Sequence, residues 1–145
     1  PGIRRLAAEG LQVELSVSLH SADDDIRSKL VPINKKYHIK ELMRACDEYI
    51  KKTNRVITFE YILIKGANAS AADAFKLVKL IKGMKCKVNT IAYNKIRIKD
   101  YIEPPRADVK AFFKILKDNG INVTHRKSRG EDIDAGCGQL RISRL

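Results

Sequence analysis

The sequence has 145 residues, a length that suits one domain of ordinary size or part of a larger one. Lys and Arg number 29 against 17 Asp and Glu, so the net charge is +12, and 44% of the residues are hydrophobic. This composition excludes a disordered chain, and no apolar run approaches the roughly 20 residues of a membrane-spanning helix. The three cysteines form no CxxC pair and no even-numbered disulfide set, which favours a reducing compartment. We therefore expect a cytoplasmic protein without membrane contact.

The first residues predict the end of a helix. Residues 2–9 read as its last turns, and Gly10 is a typical C-terminal stop. Because a natural chain does not start at a proline such as Pro1, we expect this chain to be cut from something longer.

Hydrophobic spacing then predicts alternating strands and helices. Residues 11–20 alternate with the period of a strand, residues 21–36 read as a polar connection, and residues 56–64 read as a strand covered on both faces. Between them, apolar residues at helical spacing predict a helix that Asn54 ends: Ile39, Leu42, Met43, Cys46 and Ile50.

The second half repeats this alternation. Ser70 and Asp73 form a capping-box pattern before a helix that ends near Ile81, and residues 85–93 predict a short strand. Pro104 and Pro105 open a further helix, and residues 121–125 predict a last strand. Regular alternation implies parallel strands joined by right-handed crossovers, so we predict an α/β fold with a parallel sheet.

Polar residues close two of the predicted strands. Ser18, Leu19 and His20 end the first strand, and Tyr93 and Asn94 end the third. Ligands of parallel sheets bind at the carboxyl ends of strands, so a hydroxyl, an imidazole and an amide here suit a polar small molecule. The alternative is that each residue only caps a strand or turn. His20 has no neighbouring metal ligand at suitable spacing, which argues against a metal site.

The three cysteines have different surroundings in the sequence. Cys46 lies on the apolar face of a helix and Cys86 opens a strand, so both are interpreted as small core residues. Cys137 stands between Gly136 and Gly138 in a polar segment, where its thiol is sterically open. Spacing alone leaves two interpretations of Cys137, a reactive thiol or a free thiol in a surface loop.

Basic residues cluster in one part of the chain. Eight of them and no acidic residue lie between Ala74 and Lys99. Such density suits a polyanion such as RNA, but it is also typical of a solvated lysine-rich surface.

The tail carries the strongest motif. Residues 130–140, Gly-Glu-Asp-Ile-Asp-Ala-Gly-Cys-Gly-Gln-Leu, resemble the C-terminal signature of the radical SAM methyltransferases that methylate carbon 2 of adenine in 23S rRNA and tRNA. Residues 17–22, 27–37, 58–61 and 86–89 resemble further blocks of that family in the same order. A relative that methylates carbon 8 of the same adenine is the nearest alternative.

This resemblance implies roles for five residues. Ser18, Leu19 and His20 would line the pocket for S-adenosyl-L-methionine, and Asn94 would also contact this cofactor. Cys137 would be the methyl carrier, which becomes S-methylcysteine by taking a methyl group from one S-adenosylmethionine. A second S-adenosylmethionine, cleaved at a [4Fe-4S] cluster, would then yield a radical that abstracts hydrogen from this methyl group. The resulting carbon radical would add to the adenine, and a second cysteine would resolve the adduct.

The sequence departs from the family pattern in two places. Ala92 precedes Tyr93 where the family has proline, and Lys95 follows Asn94 where proline is common, which weakens the assignment of Asn94. The family's CxxxCxxC cluster cysteines and its resolving cysteine are absent from this sequence. The chain thus supplies no ligand to the cluster, and we expect it to be inactive alone.

The resemblance also implies an organisation for the chain. Residues 1–126 would form the C-terminal half of a partial (β/α)6 barrel, supplying its last three strands, and residues 127–145 would form an extension that carries Cys137. The expected partners are 23S rRNA and tRNA, and exposed sheet edges would allow the chain to self-associate. An alternative of another class is a non-catalytic RNA-binding module of similar fold.

Overall fold

The computed structural model describes residues 1–91 and 101–126. Its helices and strands alternate along the chain as α1 Gly2–Ala8, β1 Leu15–Ser18, α2 Asp24–Leu30, a 3-10 helix Pro32–Lys35, α3 Ile39–Thr53, β2 Ile57–Ile62, α4 Ala71–Ile81, β3 Cys86–Ile91, α5 Arg106–Asp118 and β4 Val123–Arg126. None of the helices in the described ranges is long and apolar enough to cross a membrane.

The four strands form one parallel sheet in the order β1-β2-β3-β4, which is also their order in the chain. With right-handed crossovers, such an order winds the sheet in one direction and keeps the connecting helices on one face. A doubly wound sheet would instead reverse direction at a switch point. The arrangement is thus that of a β/α barrel segment. The predicted α/β parallel fold is confirmed, with one strand more than the three that the resemblance implied.

The two faces of the sheet differ in character. In the register of the sheet, four buried residues lie side by side, one from each strand: Val17, Phe59, Val88 and Val123. One residue further along each strand, a polar and partly exposed row consists of Ser18, Glu60, Asn89 and Thr124. Successive residues of a strand point to opposite faces, so these rows mark a covered face and an open face. The open face is the one that bears the polar row.

Three helices supply the core beneath the covered face. Tyr49 of α3, Leu77 of α4 and Phe112 of α5 are fully buried. The Phe112 ring lies 5.4 Å from the ring of Tyr61, between centroids. The hydroxyl of Tyr49 donates to the carbonyl oxygen of Val13 at 2.7 Å, so the polar end of this buried side chain keeps a partner.

Two local predictions of helix ends are confirmed. Asn54 ends α3 in the left-handed region with φ of 53°, a conformation that asparagine tolerates. Ser70 caps α4, since its hydroxyl accepts from the Asp73 N–H at 3.2 Å while the Asp73 carboxylate accepts from the Ser70 N–H at 3.0 Å. Both partners of the capping box are therefore present.

The prediction of a polar connection at residues 21–36 is wrong, because α2 and the 3-10 helix lie there. The Asp23 carboxylate caps α2 by accepting from the N–H groups of Asp25 and Ile26 at 3.1 and 3.2 Å. The one buried residue of α2 is Arg27, so the helix has no apolar stripe for periodicity to detect.

The first strand is shorter than the predicted 11–20. Leu11 and Val13 are 49% and 40% exposed and precede β1. Within the described residues β1 and β4 are edge strands, and self-association through them stays a prediction. The predicted end of the third strand and the extension at residues 127–145 lie outside the described residues.

Replacing Ser70 by Ala should lower the free energy of unfolding by about 1 kcal/mol, because the substitution removes the side-chain acceptor at the start of α4. Urea unfolding followed by circular dichroism measures this change. Ser16→Ala, at an exposed position of β1, is the matched control and should change stability by less than about 0.5 kcal/mol. Equal losses in the two variants would contradict the capping role.

Candidate functional site

The predicted site residues Ser18, Leu19 and His20 lie together at the carboxyl end of β1. The N–H groups of Leu19 and His20 both donate to the carbonyl oxygen of Glu60, at 3.0 and 3.2 Å. The Leu19 side chain is fully buried in the core. Leu19 is therefore able to line a pocket only through its backbone, whereas Ser18 is exposed on the open face.

His20 has an unusual backbone conformation and a fixed ring. Its φ of 57° lies in the left-handed region, which is uncommon for a residue other than glycine and is found at functional sites. Its Nδ1 accepts from the N–H of Ile62 at 3.1 Å. Its carbonyl oxygen accepts from the side-chain amide of Asn68 at 2.6 Å. These contacts hold the residue against the end of the neighbouring strand.

Asn68 is the fully buried residue that joins these two strand ends. Besides the carbonyl of His20, its amide group donates to the carbonyl of Ile62 at 2.7 Å. Its Oδ1 accepts from the N–H of Ile64 at 2.8 Å, and its own carbonyl accepts from the hydroxyl of Tyr61 at 2.9 Å. Asn68 thus satisfies backbone groups that would otherwise be orphaned where β2 ends.

The imidazole of His20 is neutral near physiological pH. Burial, and next the positive charge of Arg27, lower the pKa of His20 from 6.5 to about 4. Because Nδ1 accepts a hydrogen bond from Ile62, the ring proton must lie on Nε2. His20 is therefore a hydrogen-bond donor of defined tautomer at this edge of the sheet.

A hydrogen-bonded polar row crosses the open face beside Ser18. The Glu60 carboxylate accepts from the Asn89 amide at 2.9 Å, and Asn89 Oδ1 accepts from the Thr124 hydroxyl at 3.1 Å. Ser18 is the register partner of Glu60. A carboxylate flanked by a hydroxyl and an amide suits a ligand that presents ammonium or sugar hydroxyl groups.

Spacing alone did not single out several residues that the structure brings to this site. They are Arg27, Asn34, Glu60, Asn68, Asn89 and Thr124. Arg27, Asn34, Glu60 and Asn89 fall within the resemblance blocks at 27–37, 58–61 and 86–89, which gave them no role. Membership of these blocks was the only signal for them. Asn94 and Cys137 lie outside the described residues.

The two described cysteines are unsuited to an iron–sulfur cluster. Burial raises the pKa of Cys46 to about 12 and that of Cys86 to about 11, which disfavours the thiolates that such a cluster needs. Cys46 is fully buried and Cys86 packs against the core, as predicted. Across residues 1–91 and 101–126, no group of three His, Cys, Asp or Glu side chains is arranged to hold a metal ion. The described residues thus do not fit the cluster.

The basic stretch is not one continuous surface in its described part. Lys76 pairs with Asp23 at 3.0 Å, near the carboxyl edge of the sheet. Lys85 donates to the carbonyl of Asn54 at 2.8 Å and stands before β3, at the opposite edge from His20. Three of the eight basic residues, Lys95, Arg97 and Lys99, lie outside the described residues.

Comparisons with known proteins agree with this geometry, although no family model matches the chain. The crystal structure of a radical SAM methyltransferase from Sphaerobacter thermophilus superposes with a TM-score of 0.92 at 47% identity, covering 96% of this chain and 41% of that one. A domain of a pyruvate-formate lyase-activating enzyme from Bacteroides vulgatus superposes with a TM-score of 0.61 at 16% identity, over 78% of this chain and 66% of that one, which shows the fold alone. The chain therefore has the fold of a segment of the radical SAM methyltransferases.

Two curated relatives narrow the class. A probable dual-specificity RNA methyltransferase RlmN of Bacillus licheniformis is 48% identical over 141 residues, which are 97% of this chain and 39% of that protein. The protein of the same name from Clostridium botulinum is 49% identical over 143 residues, 99% of this chain and 42% of that protein. The chain is thus homologous over nearly its whole length to a segment of the dual-specificity RNA methyltransferases, and it spans about two fifths of their length. The family resemblance seen in the sequence is confirmed.

The stability of the chain should fall as pH drops from 6.5 towards 4. In this window the unfolded chain protonates His20 and the folded chain does not, so protons favour unfolding. The loss from this residue should reach about 2 kcal/mol by pH 5. Urea unfolding at about pH 7 and pH 5 measures it.

His20→Gln should lose much less stability between these two pH values than the wild type. Ser16→Ala, at an exposed position of β1, is the control, and it should keep the wild-type dependence because it removes no ionisable group. A His20→Gln variant with the wild-type dependence would show that another group titrates.

Proposed function

We propose that the protein containing this chain is a radical SAM methyltransferase that methylates carbon 2 of adenine in 23S rRNA and tRNA, with Cys137 as methyl carrier. The observation that carries the proposal is the 48–49% identity to the named dual-specificity RNA methyltransferases over at least 97% of the chain. The polar edge formed by Ser18, His20 and Glu60 supports it, because it offers a small-molecule site where the fold class requires one.

The described residues of this edge suit S-adenosylmethionine. This cofactor presents an ammonium group, a carboxylate, ribose hydroxyls and an adenine, and when bound it supplies a methyl group or, at a cluster held elsewhere in the protein, a radical. In this proposal Glu60 and the Ser18 hydroxyl bind donor groups of the cofactor. The Nε2–H of His20 donates to one of its acceptors, and Asn94 adds a further polar contact. Burial keeps His20 neutral, and the hydrogen bond from the Ile62 N–H to Nδ1 keeps this donor in one tautomer.

The methyl-carrier role is assigned to Cys137, which stands between Gly136 and Gly138 in the sequence. Cys46 and Cys86 are protected by burial, which raises the pKa of both thiols. The sulfur of Cys137 would form a bond to the methyl carbon while the sulfonium–methyl bond of the cofactor breaks. Carbon 2 of adenine is electron-poor and does not attack a sulfonium directly, so a carbon radical formed from the methylated cysteine is the chemically reasonable donor.

The expected RNA partners fit the charge of the chain. A net charge of +12 favours a polyanionic substrate, and its attraction should weaken as salt rises. Both curated relatives are named as RNA methyltransferases, which supports RNA as the substrate class here. Adenine in 23S rRNA and tRNA is the finer proposal, and carbon 2 is distinguished from carbon 8 by identifying the product.

Replacing Cys137 by Ala in the protein that contains this chain should abolish methylation, because no sulfur remains to carry the methyl group. Mass spectrometry of nucleosides from treated RNA measures the product, and a filter-binding assay measures RNA affinity, which should be unchanged. Cys86→Ala is the matched control and should methylate at the wild-type level, since Cys86 lies against the core.

Three outcomes separate the alternatives. Methyladenosine with the group on carbon 2 supports the proposal, whereas the carbon 8 isomer assigns the protein to the related activity. Wild-type protein that binds RNA but yields no methylated adenine in the presence of its cluster and cofactor would indicate a non-catalytic RNA-binding module.

A further inference from the structure

We infer that Arg27 is a positioning residue for the cofactor pocket, because its buried guanidinium holds the carbonyl groups of Ser18 and Leu19 and thereby fixes how Ser18 and His20 face the ligand. This inference rests on the proposed function, which assigns the pocket. Arg27 belongs to α2, a helix that contributes no side chain to the polar row of the open face.

The contacts of Arg27 form a fork at the point where β1 ends. Arg27 is only 4% exposed. Its Nε donates to the carbonyl of Leu19 and its Nη2 to the carbonyl of Ser18, both at 3.0 Å. Successive carbonyls of a regular strand point in opposite directions, so one guanidinium binds both only where the chain leaves strand geometry. His20, the next residue, has the left-handed backbone that completes this change of direction.

The third arm of the guanidinium connects to a fully buried asparagine. Arg27 Nη1 donates to Asn34 Oδ1 at 2.5 Å, and the Asn34 amide donates to the Asp24 carboxylate at 2.9 Å. Asp24 in turn accepts from the N–H of Ile39, the first residue of α3, at 2.9 Å. The end of β1 is therefore tied through Arg27 and Asn34 to the start of α3.

The choice of arginine at position 27 is informative, because an apolar residue or a lysine could fill the same space. A buried cation without a carboxylate in direct contact is costly, and an apolar side chain of similar volume would avoid that cost. Lysine would keep the charge but lacks the planar fork that reaches two carbonyls and an amide together. Arginine at this position is thus explained by the geometry that it imposes on the strand end.

The test compares two matched substitutions in the protein that contains this chain. Arg27→Lys keeps the charge and removes the fork. Arg55→Lys is the control, since Arg55 also donates to a backbone carbonyl, that of Gln12, through Nη2 at 3.0 Å. Gln12 precedes the amino end of β1, so this contact lies away from the site. Isothermal titration with S-adenosylmethionine measures affinity, and circular dichroism with thermal unfolding verifies that each variant is folded.

We expect Arg27→Lys to raise the dissociation constant for S-adenosylmethionine by about tenfold, as the loss of charge-assisted hydrogen bonds predicts. Arg55→Lys should stay within about twofold of the wild type. A second readout is the ¹⁵N spectrum of the His20 ring, which should show a protonated Nε2 in the wild type and in Arg55→Lys, and a mixture of tautomers in Arg27→Lys. If Arg27 had a purely stabilising role, the Arg27→Lys variant would keep the single wild-type tautomer.

Each outcome decides a different point. A folded Arg27→Lys variant with wild-type affinity and tautomer would overturn the inference and leave the proposed function intact. Wild-type protein that does not bind S-adenosylmethionine would overturn the proposed function and the inference together. Should Arg27→Lys not fold, Asn34→Ala decides, because it removes the acceptor of one arm and keeps both carbonyl contacts. We expect about a threefold loss of affinity in Asn34→Ala, and unchanged affinity would count against the inference.

Discussion

The left-handed backbone at His20 is the constraint on which the site depends. β1 ends at Ser18, two residues before His20, and the backbone groups released from the strand need new partners. The N–H groups of Leu19 and His20 donate to the carbonyl of Glu60, and the carbonyl of His20 accepts from the side-chain amide of Asn68. The carbonyls of Ser18 and Leu19 accept from the guanidinium of Arg27. The turn is thus fixed from both sides, by β2 and by α2, and the His20 ring has one orientation as a result.

The two faces of the sheet have different roles: the covered face packs into the core, and the open face carries the polar groups of the candidate site. The covered face holds the apolar row and the buried thiol of Cys46, whose reactivity burial suppresses. The open face holds the polar row, where Glu60 and Asn89 remain accessible while they bond to each other. Because strand side chains alternate, a shift of one residue in register would exchange these two surfaces. The long apolar strand β2 therefore fixes the site while it fixes the core.

The sequence was sufficient for the features that depend on local chemistry or on periodicity. The capping box at Ser70 and Asp73 and the apolar face of α3 follow from side-chain spacing alone, and the parallel sheet follows from alternation. Helix α2 could not be predicted in this way, because its one buried residue is the charged Arg27. The hydrogen-bond partners of Arg27, Asn34 and Ser18, lie 7 and 9 positions away in the sequence, which is outside helical spacing. The role of Asn68 could not be predicted either, because its contact with His20 spans 48 positions, which no local rule detects.

Two polar side chains at this strand end, buried Arg27 and partly buried His20, depend on each other. Arg27 keeps its charge in a desolvated setting because three acceptors surround it, and that charge opposes protonation of His20. A neutral His20 keeps Nδ1 as an acceptor for Ile62, and this contact orients the ring that Arg27 positions through the backbone. Protonation of His20 would break the contact with Ile62 and place a second cation near Arg27. The tautomer of the site and the geometry of the strand end are therefore one coupled property, stabilised by residues that do not themselves lie on the open face.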